Sequence, residues 1–110
     1  MAGLLMARFD VYRNPGTTAK LFPYLLDVQS NHISGLASRI VVPLRVVSAL
    51  KSTQIPIDIC PVFEIEKSKC FMDTPQLGAI QTRELTQLVT SIAEKQSEII
   101  AALDKVFGGY

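Results

Sequence analysis

Residues 24–44 read YLLDVQSNHISGLASRIVVPL. An apolar run over 24–28 leads into a polar segment containing Gly35, and a run rich in β-branched residues follows up to Leu44. Short apolar runs bounded by turn-forming residues read as strands joined by a loop. The first strand extends back to residue 20, so Pro23 falls inside it and implies an edge position or a bulge, because proline has no amide to give a ladder. Pro43 closes the second run.

The flanks continue the pattern. In RFDVYRN, residues 8–14, Phe9 and Val11 alternate with Arg8 and Asp10 as in a half-buried strand, and Asn14, Pro15 and Gly16 turn the chain. Downstream, residues 45–52 fit a short helical turn, and 55–65 form a strand with prolines at its margins. A hairpin turn centred on Glu66 and Lys67 leads into 70–74, and residues 77–82 extend the sheet. That turn puts Phe63 or Glu64 opposite Cys70 and leaves Cys60 several residues out of register, which argues against a disulfide. The two cysteines lack a CxxC spacing and make no zinc site.

The carboxyl part changes period. Leu85, Leu88, Val89 and Ile92 fit one helical stripe, and Ile99, Ile100, Leu103, Val106 and Phe107 fit another. Ser91 followed three residues later by Glu94 has the capping-box spacing, so the main helix is expected over 91–107, with its start open between Arg83 and Ser91. Short strands followed by one helix define an antiparallel α+β domain, a small barrel-like sheet with the helix at one end.

The chain has 110 residues, the length of one domain, and residues 1–5 read as an alternative start or a cloning remnant because Met6 directly precedes the first strand. Hydrophobic residues are 48% of the chain and charged residues 19%, so some apolar surface is expected at a subunit contact. A net charge of +1 without a basic block argues against binding driven by phosphate neutralisation. With no secretory signal and no apolar run long enough to span a bilayer, a cytoplasmic location away from the membrane is expected.

Catalytic motifs are sparse. His32 is the lone histidine, in a loop; no nucleophile motif surrounds Ser30 or Ser34; Gly35 and Gly78 are isolated; and the acidic residues are scattered. No metal or cofactor is expected. Arg39, Arg45 and Arg83 are candidates for a metal-free ribonuclease site with a carboxylate, against the simpler reading of surface charges. The ending FGGY, 107–110, places Gly108 as a left-handed helix stop and brackets two glycines with aromatic side chains fit to anchor a partner.

These segments together resemble the CcdB family of toxins from toxin–antitoxin modules. DVQS at 27–30 followed by RIVVPL at 39–44 carries the likeness, with RFDVYRN, CPVFEI at 60–65 and the terminal helix supporting it from about Met6 onward. The resemblance implies an SH3-like antiparallel barrel of the CcdB/MazF type, with an accessory sheet, a long C-terminal helix and a homodimer. It implies a protein that catalyses nothing itself: it binds the A chains of DNA gyrase and traps gyrase on cleaved DNA, serving plasmid maintenance. A CcdA-like antitoxin neutralises it, and operator DNA is engaged only through the repressor complex of toxin with antitoxin. Carried over by position, the gyrase contacts are Asp104, Phe107, Gly108, Gly109 and Tyr110, with Ser30, His32 and Ile33 in support. The chain departs from the best-known members, which have tryptophan at the Gly108 position, isoleucine at Tyr110 and an aliphatic residue at His32. The alternatives are a MazF-like endoribonuclease and a CcdB-like paralogue that has lost gyrase binding and acts only with the antitoxin in operon repression.

Overall fold

The computed structural model describes residues 7–30, 36–49 and 56–108. Seven strands lie among them: β1 (Asp10–Arg13), β2 (Tyr24–Asp27), β3 (Ser38–Val46), β4 (Val62–Ile65), β5 (Ser68–Met72), β6 (Gly78–Gln81) and β7 (Leu88–Ser91). The helix α1 (Gln96–Val106) closes the described chain. The order across the sheet is β4-β5-β3-β2-β1-β7, every pairing is antiparallel, and β6 branches from β3. The α+β half-barrel fold expected from the sequence is what this chain adopts.

Its two faces are both covered near the middle. Val11, Leu26, Val42 and Leu44 point into the main core with Ile65, Met72 and Ile99, while Tyr12, Leu25 and Val41 point the other way onto Leu85. β1 is therefore buried at Asp10, Val11 and Tyr12, and all four residues of β2 are buried, where alternation alone implies a half-buried strand. The alternation records one face; the second face is covered by the segment before β7, which lies far away in sequence.

Two prolines sit differently from expectation. Pro23 precedes β2, whose position between β1 and β3 is central, and its carbonyl accepts the Asn14 amide at 3.0 Å. Pro43 does not end β3; it pairs with Leu25, and the strand continues to Val46. On its other side β3 meets β6 over residues 38–41 and β5 over 44–46, so the missing amide faces the gap between them. The Asp73 amide fills part of that gap by donating to the Pro43 carbonyl at 3.0 Å.

The β4–β5 hairpin has the expected register. Phe63 faces Cys70, Ile65 faces Ser68, and both cysteines are free and buried. Glu66 and Lys67 form the two-residue turn with φ of 49° and 70°, the left-handed backbone that such turns require. The hairpin curls across the sheet, and its tip reaches the far strands: the Glu66 carboxylate accepts from Arg13 Nη2 and from the Tyr24 hydroxyl, each at 2.6 Å.

The helical reading of 83–92 fails. After a short 3-10 turn, Thr82–Glu84, the chain forms β7, which pairs with β1 through Val11↔Thr90. The open edge of β1 supplies backbone partners that an isolated stripe of leucines cannot, and the β-branched pair Val89 and Thr90 suits a strand. The capping box is likewise absent. Ser91 ends β7 and its Oγ accepts the Ala93 amide at 3.3 Å, a local bond just ahead of a 3-10 turn, Ala93–Lys95, that leads into α1. The helix has 11 residues and buries only Ile99 and Ala102 completely, with Ile100 and Leu103 packed beside them.

Candidate functional site: the carboxyl end of the helix

α1 ends with Phe107 and Gly108 turned out of the core. The Phe107 amide donates to the Leu103 carbonyl at 3.0 Å, and the Gly108 amide to the Lys105 carbonyl at 3.3 Å. Gly108 has φ of 92°, which costs an L side chain strain even though a Cβ there would meet only open space. Phe107 is 70% exposed, and Asp104 and Gly108 are exposed beside it. Periodicity puts Phe107 at the end of the helix's buried stripe; the helix instead leaves the core one turn earlier. Lys105 Nζ lies 3.8 Å from Asp58 Oδ2, an exposed and screened pair beside the turn before β4. An aromatic ring held out at the end of a short helix that packs through Ile99 and Ala102 is suited to docking in another protein's pocket.

Ser30 is half-buried at the end of the segment after β2 and borders a cleft of about 460 Å³ with Arg8, Phe9, Ala93 and Gln96. That cleft lies at the opposite end of α1 from Phe107, roughly 16 Å of helix away. Within one protomer the fold therefore groups Asp104, Phe107 and Gly108 and sets Ser30 apart. His32, Ile33, Gly109 and Tyr110 lie outside the described residues.

Two of the three ribonuclease candidates, Arg39 and Arg45, are engaged elsewhere. Arg39 is 2% exposed: its Nε donates to Asp27 Oδ2 at 2.9 Å, and its Nη2 lies 2.7 Å from the same oxygen without the alignment of a second hydrogen bond. Arg45 is half-buried, with its guanidinium 5.9 Å from the Phe22 ring centre. Arg83 is exposed on the turn beside Thr82.

Two polar constellations escaped sequence reading because their members are far apart in the chain. One is Arg13, Tyr24 and Glu66. The other is buried, and comprises Asp27 and Arg39 with Asp10 and Tyr12. Burial pushes the Asp10 carboxyl above its ordinary 3.8, only partly opposed by the Ala7 amide, Tyr12 and Arg39. A raised native value means that the folded state binds this proton more readily than the unfolded chain. The Asp10 contribution to stability is therefore most favourable in acid and is lost as pH rises from about 3.8 through the raised value. Asp10→Asn is expected to remove that loss and to stabilise the protein at neutral pH by on the order of 1 kcal/mol. Urea denaturation of both proteins between pH 3 and 7 measures it; equal pH profiles would refute it.

Among the described residues no three histidine, cysteine, aspartate or glutamate side chains gather as metal ligands, and no helix is long and apolar enough to cross a membrane.

A curled antiparallel half-barrel with a C-terminal helix whose end is left exposed defines a small α+β protein of the CcdB/MazF-like class. The chain belongs to the CcdB protein family, which it matches over residues 8–109, and the family is one of toxins from toxin–antitoxin systems. No curated protein matches the sequence. Among solved structures, the chain is similar to one described as an endoribonuclease from mycobacterial species, at 16% identity and a TM-score of 0.67, covering 94% of this chain and 92% of that one. That likeness corrects the expectation that the chain has no catalytic role. The fold it shares over nearly its whole length is the fold of a protein described as an enzyme, so membership in a toxin family does not dispose of catalysis.

Proposed function

We propose that this chain is a cytoplasmic toxin that works as a homodimer, binds the A chains of DNA gyrase through the ends of its two α1 helices, and traps gyrase on cleaved DNA. A CcdA-like antitoxin holds it in check, and the pair represses its own operon on operator DNA. The observation that carries this reading is the tip itself: an exposed Phe107, beside Asp104 and a left-handed Gly108, in a chain of the CcdB family. Two-fold symmetry suits the target, since one dimer offers the same surface to each of two gyrase A chains. Gly108 takes the place of the tryptophan of the best-known members, which leaves Phe107 and Tyr110 as the aromatic anchors.

Expression in cells with wild-type gyrase and in cells with a toxin-resistant gyrase A tests the proposal. Killing is expected only in the first. Equal killing in both would overturn it.

The fold shared with an endoribonuclease favours one second reading, RNA cleavage. It predicts rapid loss of RNA on induction with chromosomal DNA intact. Arg83→Ala is the informative substitution for that reading, because Arg39→Ala would remove half of a buried ion pair and confound loss of activity with loss of fold. A paralogue acting only with its antitoxin would instead be harmless when expressed and still bind antitoxin.

A further inference from the structure

Arg13 and Tyr24 are directly opposed partners in the β1–β2 ladder, so their side chains rise from one rung, the last of that ladder, between two interior strands of the sheet. The Arg13 guanidinium carbon lies 5.9 Å from the centre of the Tyr24 ring, and both side chains aim their donors at a single carboxylate. That carboxylate, Glu66, belongs to neither strand. It arrives from the tip of the β4–β5 hairpin, gives one oxygen to Arg13 Nη2 and the other to the Tyr24 hydroxyl, and takes both at 2.6 Å. The donors are thus framework and the acceptor is a visitor.

The visitor is reachable from solvent and sits on a constrained turn. Glu66 and Lys67 are non-glycine residues in left-handed backbone, a conformation disfavoured for L side chains. The Arg13 and Glu66 side chains are 47% and 42% exposed, so solutes reach the pair and water screens it. Tyr24, by contrast, is buried as a residue, and burial together with the Glu66 hydrogen bond pushes its phenol up to about 12, so the hydroxyl remains a donor across the physiological range.

We propose that the Arg13–Tyr24 rung is a receptor for a carboxylate, the acidic side chain of a protein partner, and that Glu66 is its internal stand-in. Two donors, one for each oxygen of a planar group, and one cation match a carboxylate in shape and charge. A polyanion finds less here, because the chain carries a net charge of +1 and no basic block. Glu66 competes at the high effective concentration of an attached group, so stray carboxylates are kept out. A partner that docks elsewhere on the protein gains the same advantage, takes the rung, and frees the hairpin tip.

The test uses the full chain with Glu66→Ala, which empties the rung, and acetate as the probe at constant ionic strength. Acetate up to about 0.1 M is expected to shift the Arg13 and Tyr24 NMR signals saturably and to raise the melting temperature by about 3–6 °C. Wild type is expected to respond far less, and the double variant Arg13→Ala/Glu66→Ala not at all. Should Glu66→Ala fail to fold, Glu66→Gly, whose backbone adopts the left-handed φ freely and which also empties the rung, carries the same titration. Identical responses of the single and double variants would overturn the proposal, as would inorganic phosphate binding the emptied rung more tightly than acetate.

Discussion

Asp27→Ala is expected to destabilise the protein by roughly 3–5 kcal/mol, a large part of the stability of a domain this size. Asp27 is wholly buried and uses both oxygens: Oδ2 faces Arg39, and Oδ1 accepts the Gln29 amide at 3.0 Å. Gln29 in turn accepts the Ile40 amide through Oε1 at 3.1 Å, so the carboxylate orients the segment leading out of β2 against β3. Alanine removes the counter-charge of a guanidinium that is only 2% exposed and cannot reach water without opening the sheet. A companion variant separates this loss from simple packing. Asp27→Ala/Arg39→Met deletes both charges and is expected to recover most of the loss, because the large penalty belongs to the unpaired ion. Urea denaturation measures each variant; a single-variant loss below about 1 kcal/mol would mean that Arg39 finds another partner, such as Asp10, whose carboxyl already feels its charge.

The second large effect falls on function and spares the fold. Phe107→Ala changes a side chain that is 70% exposed, so its effect on stability is expected to stay within about 0.5 kcal/mol. On the proposed reading the same ring anchors the gyrase contact, and losing an anchor worth about 2 kcal/mol or more weakens binding some 30-fold. Deleting residues 108–110 is expected to abolish toxicity while leaving a folded dimer. The check pairs a killing assay with circular dichroism and size measurement on the purified variants. Full toxicity in the truncated protein would remove the helix tip from the mechanism.

Strand positions were legible where neighbours in sequence suffice to specify them. The two-residue turn at Glu66 and Lys67 constrains its register, which is why the sequence alone narrows the partner of Cys70 to Phe63 or Glu64, and the structure selects Phe63. The stripe at Ile99, Ile100 and Leu103 gave the helix. Residues 85–92 were misread because spacing of leucines and valines fits a helix as well as a strand, and the deciding factor was the unpaired edge of β1 about eighty residues earlier. Ser91 and Glu94 had the spacing of a capping box, but spacing does not say whether the serine already belongs to a ladder. At the candidate site, the turned-out Gly108 was readable from glycine's place after an apolar stripe. Phe107 was open to two readings, the end of the buried stripe or an exposed anchor, and spacing alone does not choose between them.

Local pattern thus supplied the antiparallel α+β class, the β4–β5 turn and the helix, because short-range sterics and periodicity act within a few residues. Which charges are buried, which strand closes the sheet, and that Arg13, Tyr24 and Glu66 meet were settled by the curl of the sheet. Pairing between strands brings together residues forty or fifty positions apart, and the cost of stranding a charge or an amide in that interior depends on partners that no local window contains.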